Sequence, residues 1–313
     1  MPRATKPIHI LEAQQFSRNW LEKYFFPEAI KMKRLVEVKG VSNQFSDKTV
    51  CLLFYEPSTR TRISFQQACI KLGAKVVGTE NAKEFSSAIK GESLVDTIRV
   101  ANALQFDCVV LRSDVDGGAF EAAEVSKIPI INAGDGSGQH PTQALLDLLT
   151  IYQHFKKIDN LKVALVGDLK NGRTTRSLAY LLGKFKGVEV CLAAPDNLQM
   201  KDDILEYLER HNVKVSKVSK LADCAGEVDV IYLTRAQKER MKGKQKLNGQ
   251  NVSINEKVLE KIKPNSIILH PLPRSDRFNE LPERFTDDSR VHIFDQVENG
   301  LYARMALLKM VLS

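Results

Sequence analysis

Short runs of apolar, β-branched residues alternate along the chain with segments whose apolar residues recur at helical spacing. Residues 49–55 predict a strand. The next segment carries Phe65, Ala68, Cys69 and Leu72 at positions i, i+3, i+4 and i+7, which together form one face of a helix. Strands that alternate with such helices pack into parallel sheets covered by helices. The pattern therefore predicts an α/β fold.

This alternation occurs in two series, with a polar stretch at 156–160 between them. We therefore predict two doubly wound domains, each with a mainly parallel sheet flanked by helices. In the first series the further predicted strands are 74–77, 108–111 and 128–132, and the helices are 94–104 and one after Pro141. In the second series the predicted strands are 161–166, 188–193, 228–233, 266–269 and 291–294, followed by a last helix at 301–312. Residues 81–92 and 237–251 predict surface loops.

Length and composition agree with two domains. The chain has 313 residues, of which 43% are hydrophobic, so each half has enough apolar residues for its own core. The formal net charge of +8 raises the alternative of a nucleic-acid partner. The basic residues are scattered, however, and lack the interleaved aromatic residues of a single-strand groove, which disfavours nucleic acid. We expect some of them to bind small anionic substrates instead.

The five cysteines lie far apart, mostly in apolar runs, and none of them forms a Cys-x-x-Cys pair. This spacing predicts buried, reduced thiols rather than disulfides or a zinc site. The sequence has no secretory leader pattern and no apolar run of membrane-spanning length, so we expect a cytoplasmic protein without a membrane partner. A transit peptide removed from a longer precursor is the alternative.

The segment FYEPSTRTR at 54–62 is the strongest candidate for a binding site. A strand leads to Pro57 and a helix begins soon after, so backbone N–H groups and the positive end of the helix dipole lie beside several hydroxyl groups. Arg60 adds a positive charge. This combination suits a phosphate group. An ordinary helix N-cap with solvated arginines has the same pattern and remains the alternative.

The glycine-rich segment NAGDGSGQHPTQ at 132–143 is a second candidate. Its glycines let the backbone turn sharply at the carboxyl end of a strand, where open α/β sheets bind ligands. His140 and Gln143 lie one helical turn apart and face the same side. This placement favours a functional histidine over a structural one.

The segment VGDLKNGRT at 166–174 is close to the phosphate-binding loop of nucleotide-hydrolysing enzymes. Arg173 stands where that loop requires lysine, and Asp168 would oppose the phosphates, so a nucleotide hydrolase is disfavoured. The glycine fingerprint of dinucleotide-binding proteins is also missing after this strand. An arginine at a helix start suits a carboxylate instead.

Two more strand exits carry candidate binding groups. Arg235, which follows the strand 228–233, offers a second fork for a carboxylate. In the segment HPLPR at 270–274, the two prolines stiffen the backbone around Leu272, so that its carbonyl becomes a fixed acceptor. Each of these segments taken alone is also consistent with ordinary loop structure.

Taken together, six segments resemble the aspartate carbamoyltransferase family, and the resemblance covers nearly the whole sequence. FYEPSTRTR is shared with the wider aspartate/ornithine carbamoyltransferase family, whereas its conjunction with KGE, GRT and HPLPR is specific to the aspartate enzymes. The segments are 54–62 (FYEPSTRTR), 86–92 (SSAIKGE), 132–143 (NAGDGSGQHPTQ), 167–174 (GDLKNGRT), 234–240 (TRAQKER) and 270–274 (HPLPR).

The resemblance implies transfer of the carbamoyl group of carbamoyl phosphate to the α-amine of L-aspartate, an early step of de novo pyrimidine biosynthesis. The amine attacks directly through a tetrahedral intermediate, with no covalent enzyme intermediate, metal or cofactor. The residues implied as catalytic are Arg60, Thr61, Lys90, Arg112 and His140. Those implied to bind carbamoyl phosphate are Ser58, Thr59, Arg60, Thr61, Ser86, Lys90, Arg112, His140 and Gln143. Those implied to bind aspartate are Lys90, Arg173, Arg235, Gln237, Leu272 and Pro273.

The resemblance also implies a domain organisation and an assembly. Residues 1–148 would bind carbamoyl phosphate, with a C-terminal helix at 298–313 packing back on them. Residues 149–297 would bind aspartate, and the active site would lie in the cleft between the two domains. Ser86 and Lys90 would reach into a neighbouring subunit's site, which implies a homotrimer with shared sites. The sequence leaves open whether trimers join regulatory chains or another pathway enzyme.

Two positions depart from the family pattern. Ile89 precedes Lys90 where some members have a second lysine, and Asn171 stands where many have an aromatic residue or histidine. An ornithine or other carbamoyltransferase is the nearest alternative, but the ornithine enzymes typically carry His-Cys-Leu-Pro where this chain has HPLP. A catalytically inactive subunit of the same fold is the alternative from another class. Such subunits usually lose phosphate-binding or loop residues, which this chain keeps.

Overall fold

The computed structural model describes residues 7–79, 81–85, 87–235, 252–274 and 279–313. The chain forms two compact units. The first comprises the chain up to Thr142 together with Asn299–Ser313, and the second comprises Gln143–Glu298. The chain passes from one unit to the other within two helices, Pro141–Phe155 and Ile293–Leu312.

The first unit contains a sheet of parallel strands in the order β2-β1-β3-β4. The chain runs outward from β1 to β2 and then returns to β3 on the other side of β1. The pair β1 and β3 is therefore the topological switch point, where open α/β sheets bind ligands. The strands are β1 (Thr49–Phe54), β2 (Lys75–Thr79), β3 (Cys108–Ser113) and β4 (Ile130–Asp135).

The helices of the first unit bury the faces that their periodicity predicts. In α2, Phe65, Ala68, Cys69 and Leu72 are all fully buried. The helices are α1 (Phe26–Lys39), α2 (Thr59–Leu72), α3 (Leu94–Ala103) and α4 (Gly118–Val125). Short helical turns occur at Ala13–Gln15, Arg18–Trp20, Leu21–Phe25, Ala82–Phe85 and Ser87–Lys90.

The second unit repeats this plan with a parallel sheet in the order β7-β6-β5-β8-β9. Its switch point lies between β5 and β8, whose last residues Val166 and Leu233 are paired. The strands are β5 (Lys162–Val166), β6 (Glu189–Ala193), β7 (Lys214–Val218), β8 (Val230–Leu233) and β9 (Ile267–Leu269).

The remaining helices begin with α5, which spans Pro141–Phe155. The others are α6 (Arg173–Leu182), α7 (Asp202–Arg210), α8 (Glu256–Lys261) and α9 (Ile293–Leu312). Single 3-10 turns occur at Asp196–Leu198, Leu221–Asp223 and Glu283–Phe285. The C-terminal part of α9 packs in the first unit, where Arg304 donates to Ser64 Oγ at 2.9 Å and Lys309 donates to Glu28 Oε1 at 2.6 Å.

The predicted α/β class with two helix-flanked parallel sheets is confirmed, but the strand predicted at 291–294 is wrong. Val291 forms only a single bridge, to Ile268. The backbone N–H of His292 donates to Ile268 O at 3.0 Å, and the carbonyl of His292 then accepts from Gln296 N at 3.0 Å. The chain therefore turns into α9 directly after one paired residue, and that helix begins well before the predicted position 301.

The predicted surface loops have different outcomes. Residues 81–92 contain two helical turns, Ala82–Phe85 and Ser87–Lys90. The loop predicted at 237–251 lies outside the described residues. The prediction that the cysteines are buried is confirmed for all five, and burial raises the pKa of Cys69 to about 12. Among the described residues, no helix has the length and apolar character that crossing a bilayer requires.

Candidate active site

The turn between β1 and α2 presents an open helix N-terminus. Ser58 is the N-cap residue in an extended conformation, and within the described part of the chain its side chain makes no capping hydrogen bond. The first turn of α2 also contains no acidic residue. The positive end of the helix is therefore available to an anionic ligand. Thr59 and Arg60 are exposed in this first turn, whereas Thr61 is buried.

A cavity of about 590 Å³ lies against this helix start. Ser58, Thr59 and Arg62 contribute to its wall. The other lining residues are Pro57, Gly78, Thr79 and Asn81. Arg62 was not among the binding residues predicted from the sequence, although the same motif contains it. The cavity thus combines hydroxyl groups, a helix N-terminus and a cation, which is the donor set that a phosphate group requires.

Arg112 lies at the end of β3, directly beside the end of β1. Its side chain is 8% exposed, and its Nη1 donates to Ala133 O at 3.2 Å. Its Nη2 is 3.3 Å from Glu56 Oε1. The carbonyl of Arg112 also accepts from Tyr55 N at 2.8 Å, so the first motif and Arg112 are brought together. Glu56, which sequence reasoning did not select, fixes the orientation of the guanidinium group.

Two carboxylates shape the glycine-rich turn that precedes α5. Asp135 accepts from Gln139 N at 2.6 Å, and Asp116 accepts from Ser137 Oγ at 2.8 Å. Gly136 has φ +42, and a Cβ atom there would overlap the Asp116 carboxylate. This turn therefore requires glycine. His140 follows it, is 4% exposed, and has Nδ1 3.5 Å from Thr142 Oγ1.

Gln143 is the first residue of the second unit and is 9% exposed. Its Nε2 donates to Asp147 Oδ1 at 2.9 Å, one turn further along α5. Asp147 is fully buried and was not predicted as part of any site.

Side-chain hydrogen bonds hold the segment that carries Lys90 on both sides of that residue. Lys83 donates to Asp114 Oδ2 at 2.7 Å, and Glu92 Oε1 accepts from Thr97 Oγ1 at 3.0 Å. Thr97 Oγ1 lies 3.2 Å from Tyr55 Oη, and burial raises the pKa of Tyr55. Lys90 itself is exposed, and Ser86 lies outside the described residues.

Arg173 is the first residue of α6 and is 5% exposed. The turn before it begins with Gly167 at φ +113, where a Cβ atom would overlap the carbonyl of Thr234. Asp168 is buried, and its two carboxylate oxygens accept from Asn171 Nδ2 at 3.0 and 3.2 Å. Asn171, which departs from the family pattern, thus closes this turn.

Arg235 lies at the neighbouring strand exit and is partly buried. The residue before it, Thr234, donates to Val166 O through its backbone N at 2.8 Å and through Oγ1 at 3.0 Å. Arg173 and Arg235 therefore follow adjacent strands at the switch point of the second sheet. Gln237 lies outside the described residues.

The third strand exit of this unit is the HPLPR turn after β9. His270 is 1% exposed, and its Nδ1 accepts from Leu272 N at 2.8 Å. Leu272 has φ +56, and the peptide bond between it and Pro273 is cis. Arg274 Nη1 donates to Thr286 Oγ1 at 2.7 Å. The hydrogen bond from Leu272 N to the His270 side chain thus stabilises the turn at Leu272.

Both units therefore present cationic groups and hydrogen-bond donors where their parallel strands end. Within the described residues, no group of three or more histidine, cysteine or acidic side chains is placed to hold a metal ion.

Two models of one protein family match this chain, one in each half of the sequence. Residues 8–153 match the family model "Aspartate/ornithine carbamoyltransferase, carbamoyl-P binding domain", and residues 159–311 match the "Asp/Orn binding domain" of the same family.

The chain is 46% identical over 307 residues to aspartate carbamoyltransferase 1, chloroplastic, from Pisum sativum, covering 97% of this chain and 78% of the relative. It is 42% identical over 306 residues to the aspartate carbamoyltransferase catalytic subunit of Methanococcus vannielii, covering 97% of each. Its fold is similar to Trypanosoma cruzi aspartate transcarbamoylase in complex with carbamoyl aspartate and phosphate. That comparison has a TM-score of 0.90 and 37% identity, and it covers 98% of this chain and 97% of the other. The chain belongs to the aspartate/ornithine carbamoyltransferase family.

Proposed function

We propose that this chain transfers the carbamoyl group of carbamoyl phosphate to the α-amine of L-aspartate. The amine lone pair forms a bond to the carbonyl carbon and gives a tetrahedral intermediate. The bond between that carbon and the phosphate oxygen then breaks, phosphate leaves with the electron pair, and the proton lost by the amine ends on the phosphate. The products are N-carbamoyl-L-aspartate and phosphate, which places the reaction early in pyrimidine biosynthesis.

The first unit supplies the phosphate-binding groups in this proposal. The open N-terminus of α2, the hydroxyls of Ser58 and Thr59 and the cavity beside them support a phosphate site. Arg60, Thr61, Arg112 and His140 would stabilise the negative charge that develops on the carbonyl oxygen and on the leaving phosphate. A well-placed donor of this kind contributes about 3–4 kcal/mol to catalysis.

The second unit supplies the carboxylate-binding groups. Arg173 and Arg235 follow adjacent strands, with Thr234 bonded to Val166 between them, and this arrangement carries the assignment of a dicarboxylate substrate. The Asp168 carboxylate at the same edge is buried and accepts from Asn171. Two guanidinium groups favour aspartate over ornithine, whose side chain is cationic. The Leu272–Pro273 turn and Gln237 would complete the aspartate site.

The domain and assembly predictions are part of the proposal. The proposal keeps a carbamoyl phosphate domain at 1–148 with the helix 298–313 and an aspartate domain at 149–297. Two compact units that divide at 142/143 and 298/299 support this organisation, although their bounds differ by up to six residues. The exposure of Lys90 supports its proposed reach into a neighbouring subunit of a homotrimer. Ser86, which is proposed to accompany it, lies outside the described residues. A cytoplasmic location also stays a prediction, and the plant relatives are chloroplastic by name.

The direct experiment measures N-carbamoylaspartate formed by the purified chain from carbamoyl phosphate and L-aspartate, with the native mass measured by light scattering. We expect product only when both substrates are present, and the mass of a trimer. A folded chain that forms no carbamoylaspartate would disprove the proposed activity, whereas an active monomer would disprove only the assembly.

The shared site is tested by mixing two inactive variants. Lys90→Ala and Arg60→Ala should each be nearly inactive as homotrimers. In a mixed trimer of threefold symmetry, one junction always joins an intact Arg60 to an intact Lys90 of the neighbouring chain. Co-refolded mixtures should therefore regain up to about one native site per mixed trimer. Mixed trimers that stay inactive would place Lys90 in its own chain's site or in no site.

A further inference from the structure

The fully buried side chain of Asp147 is the centre of a polar network inside the second unit. Its Oδ1 accepts from Gln143 Nε2 at 2.9 Å and from Gln296 Nε2 at 2.8 Å. Its Oδ2 accepts from Tyr232 Oη at 2.7 Å. Three donors converge on one carboxylate, and burial together with the charge of Asp147 raises the pKa of Tyr232 well above its ordinary value. Because all three of these contacts bring a donor to one of its two oxygens, Asp147 acts as an acceptor in this network.

The orientation of Gln296 follows from its two partners. Its Oε1 accepts from the backbone N–H of His270 at 2.7 Å, and a backbone N–H can only donate. The other end of the amide, Nε2, must then face Asp147.

The same reasoning fixes the imidazole of His270. Its Nδ1 accepts from Leu272 N at 2.8 Å, so the ring proton lies on Nε2, which donates to Glu280 Oε1 at 3.1 Å. A continuous chain of hydrogen bonds thus runs from Gln143 through Asp147 and Gln296 to the turn that contains Leu272.

We propose that Asp147 is a positioning residue that sets which end of the Gln143 amide faces the substrate. A carboxylate that accepts from its partners must face the NH₂ group of Gln143, and this leaves the carbonyl oxygen Oε1 of Gln143 to point elsewhere. The carbamoyl group carries an NH₂ that needs an acceptor. An acyl group with a methyl in that position offers no donor to Oε1, so Asp147 favours the binding of a carbamoyl group over such an acyl group. This inference rests on the proposed function.

The proposal predicts a loss of discrimination rather than a general loss of binding. Without an acceptor at position 147, the Gln143 side chain loses the hydrogen bond that orders it. Its amide can then rotate by about 180°, which exchanges the positions of the NH₂ group and the oxygen. Ordering one flexible side chain when the ligand binds lowers the affinity by a factor of about 2 to 12. The choice between two amide orientations lowers it by about another factor of two. Carbamoyl phosphate binding should weaken roughly 5- to 20-fold by this reasoning. Acetyl phosphate, whose methyl group makes no hydrogen bond to Oε1, should bind within about threefold of its native affinity.

The test compares Asp147→Leu, which has nearly the same shape but no acceptor, with Asp147→Asn. The asparagine keeps one acceptor oxygen for the two glutamines, and its NH₂ can donate to the Tyr232 hydroxyl, which then acts as an acceptor. The measured quantities are the KM for carbamoyl phosphate and the Ki of acetyl phosphate as a competitive inhibitor. Their ratio should change roughly 5- to 20-fold in Asp147→Leu and less than about threefold in Asp147→Asn.

Matched controls separate positioning from stability. Thr150 lies on the same helix, is 4% exposed and donates to Leu146 O at 2.8 Å, so Thr150→Val removes a buried hydrogen bond outside the network. We expect Thr150→Val to leave the ratio unchanged. If Asp147→Leu fails to fold, the same measurement is made on the double variant Asp147→Leu/Tyr232→Phe. This variant also removes the Tyr232 hydroxyl, a buried donor that the leucine leaves without its acceptor at position 147.

Each outcome is decisive. A wild-type chain without carbamoyl transfer would end the proposed function. An active wild type with an unchanged ratio in the leucine variant, or with equal losses in both Asp147 variants, would overturn the positioning role alone. If neither leucine variant folds, Asp147 maintains the structure of the unit, and the proposal is also wrong.

Discussion

Gly167→Ala tests whether the contact between the exits of β5 and β8 positions the two arginines that follow them. Gly167 has φ +113, and a Cβ atom there would overlap the carbonyl of Thr234. An alanine in this backbone conformation costs about 1–3 kcal/mol. Relief of the overlap by movement of the Thr234 strand end costs about another 1–3 kcal/mol. We therefore expect the free energy of unfolding to fall by roughly 2–6 kcal/mol.

The matched control is Gly40→Ala. Gly40 has φ +74 but no atom within 4 Å of the Cβ position, so its replacement measures the backbone cost alone. Urea unfolding of both variants gives the two stability losses, and steady-state kinetics gives the two KM values. The folded fraction of Gly167→Ala should show an aspartate KM raised at least about tenfold, with carbamoyl phosphate changed much less, because a bidentate pair depends on the position of its fork. Equal stability losses in the two variants, or an unchanged aspartate KM, would refute the positioning role of this contact.

Three further predictions concern single side chains. Arg60→Ala should lower kcat roughly 10²–10³-fold while the far-ultraviolet circular dichroism stays native, as for the loss of one oxyanion donor; turnover within a few-fold of wild type would remove Arg60 from the site. Arg235→Lys keeps the charge but loses the fork, so it should raise the aspartate KM sharply and leave carbamoyl phosphate nearly unaffected; equal losses for both substrates would contradict the division of roles. The pKa of Tyr232 is raised above its ordinary value of 10.0 in the folded state. The protonated hydroxyl therefore contributes its full stability to the fold below pH 10.0, and this contribution is lost as the pH rises above 10.0. Above pH 10 the native chain should therefore lose up to about 1.4 kcal/mol per pH unit more than Tyr232→Phe, and parallel stability curves would disprove this.

The sequence predicts the central strands well because their apolar runs are buried on both faces. β1, β3 and β5 begin and end within a few residues of the predicted bounds. The edge strand β7 has the sequence KVSKV with mostly exposed residues, so no hydrophobic run identifies it. The residues 291–294 have the composition of a strand, but their hydrogen bonds lead into α9.

The candidate site follows the same distinction between local and distant information. Ser58, Arg112, His140, Arg173 and Arg235 follow strands or begin helices, and that local signal is visible in the sequence. The role of Asp147 is not visible, because its partners Tyr232 and Gln296 lie 85 and 149 positions away along the chain. Glu56 is similar, since only the pairing of β1 with β3 brings it to Arg112. Buried polar networks of this kind become apparent only when the fold brings their members together.

The central claim is tested most directly by a competition between acceptors. The purified chain is incubated with ¹³C-labelled carbamoyl phosphate and equal concentrations of L-aspartate and L-ornithine, and the labelled products are identified by NMR. We predict labelled N-carbamoyl-L-aspartate, formed in equal amount to phosphate and absent when aspartate is omitted. Labelled carbamoylornithine as the main product, or phosphate released without either carbamoylated amino acid, would contradict the account.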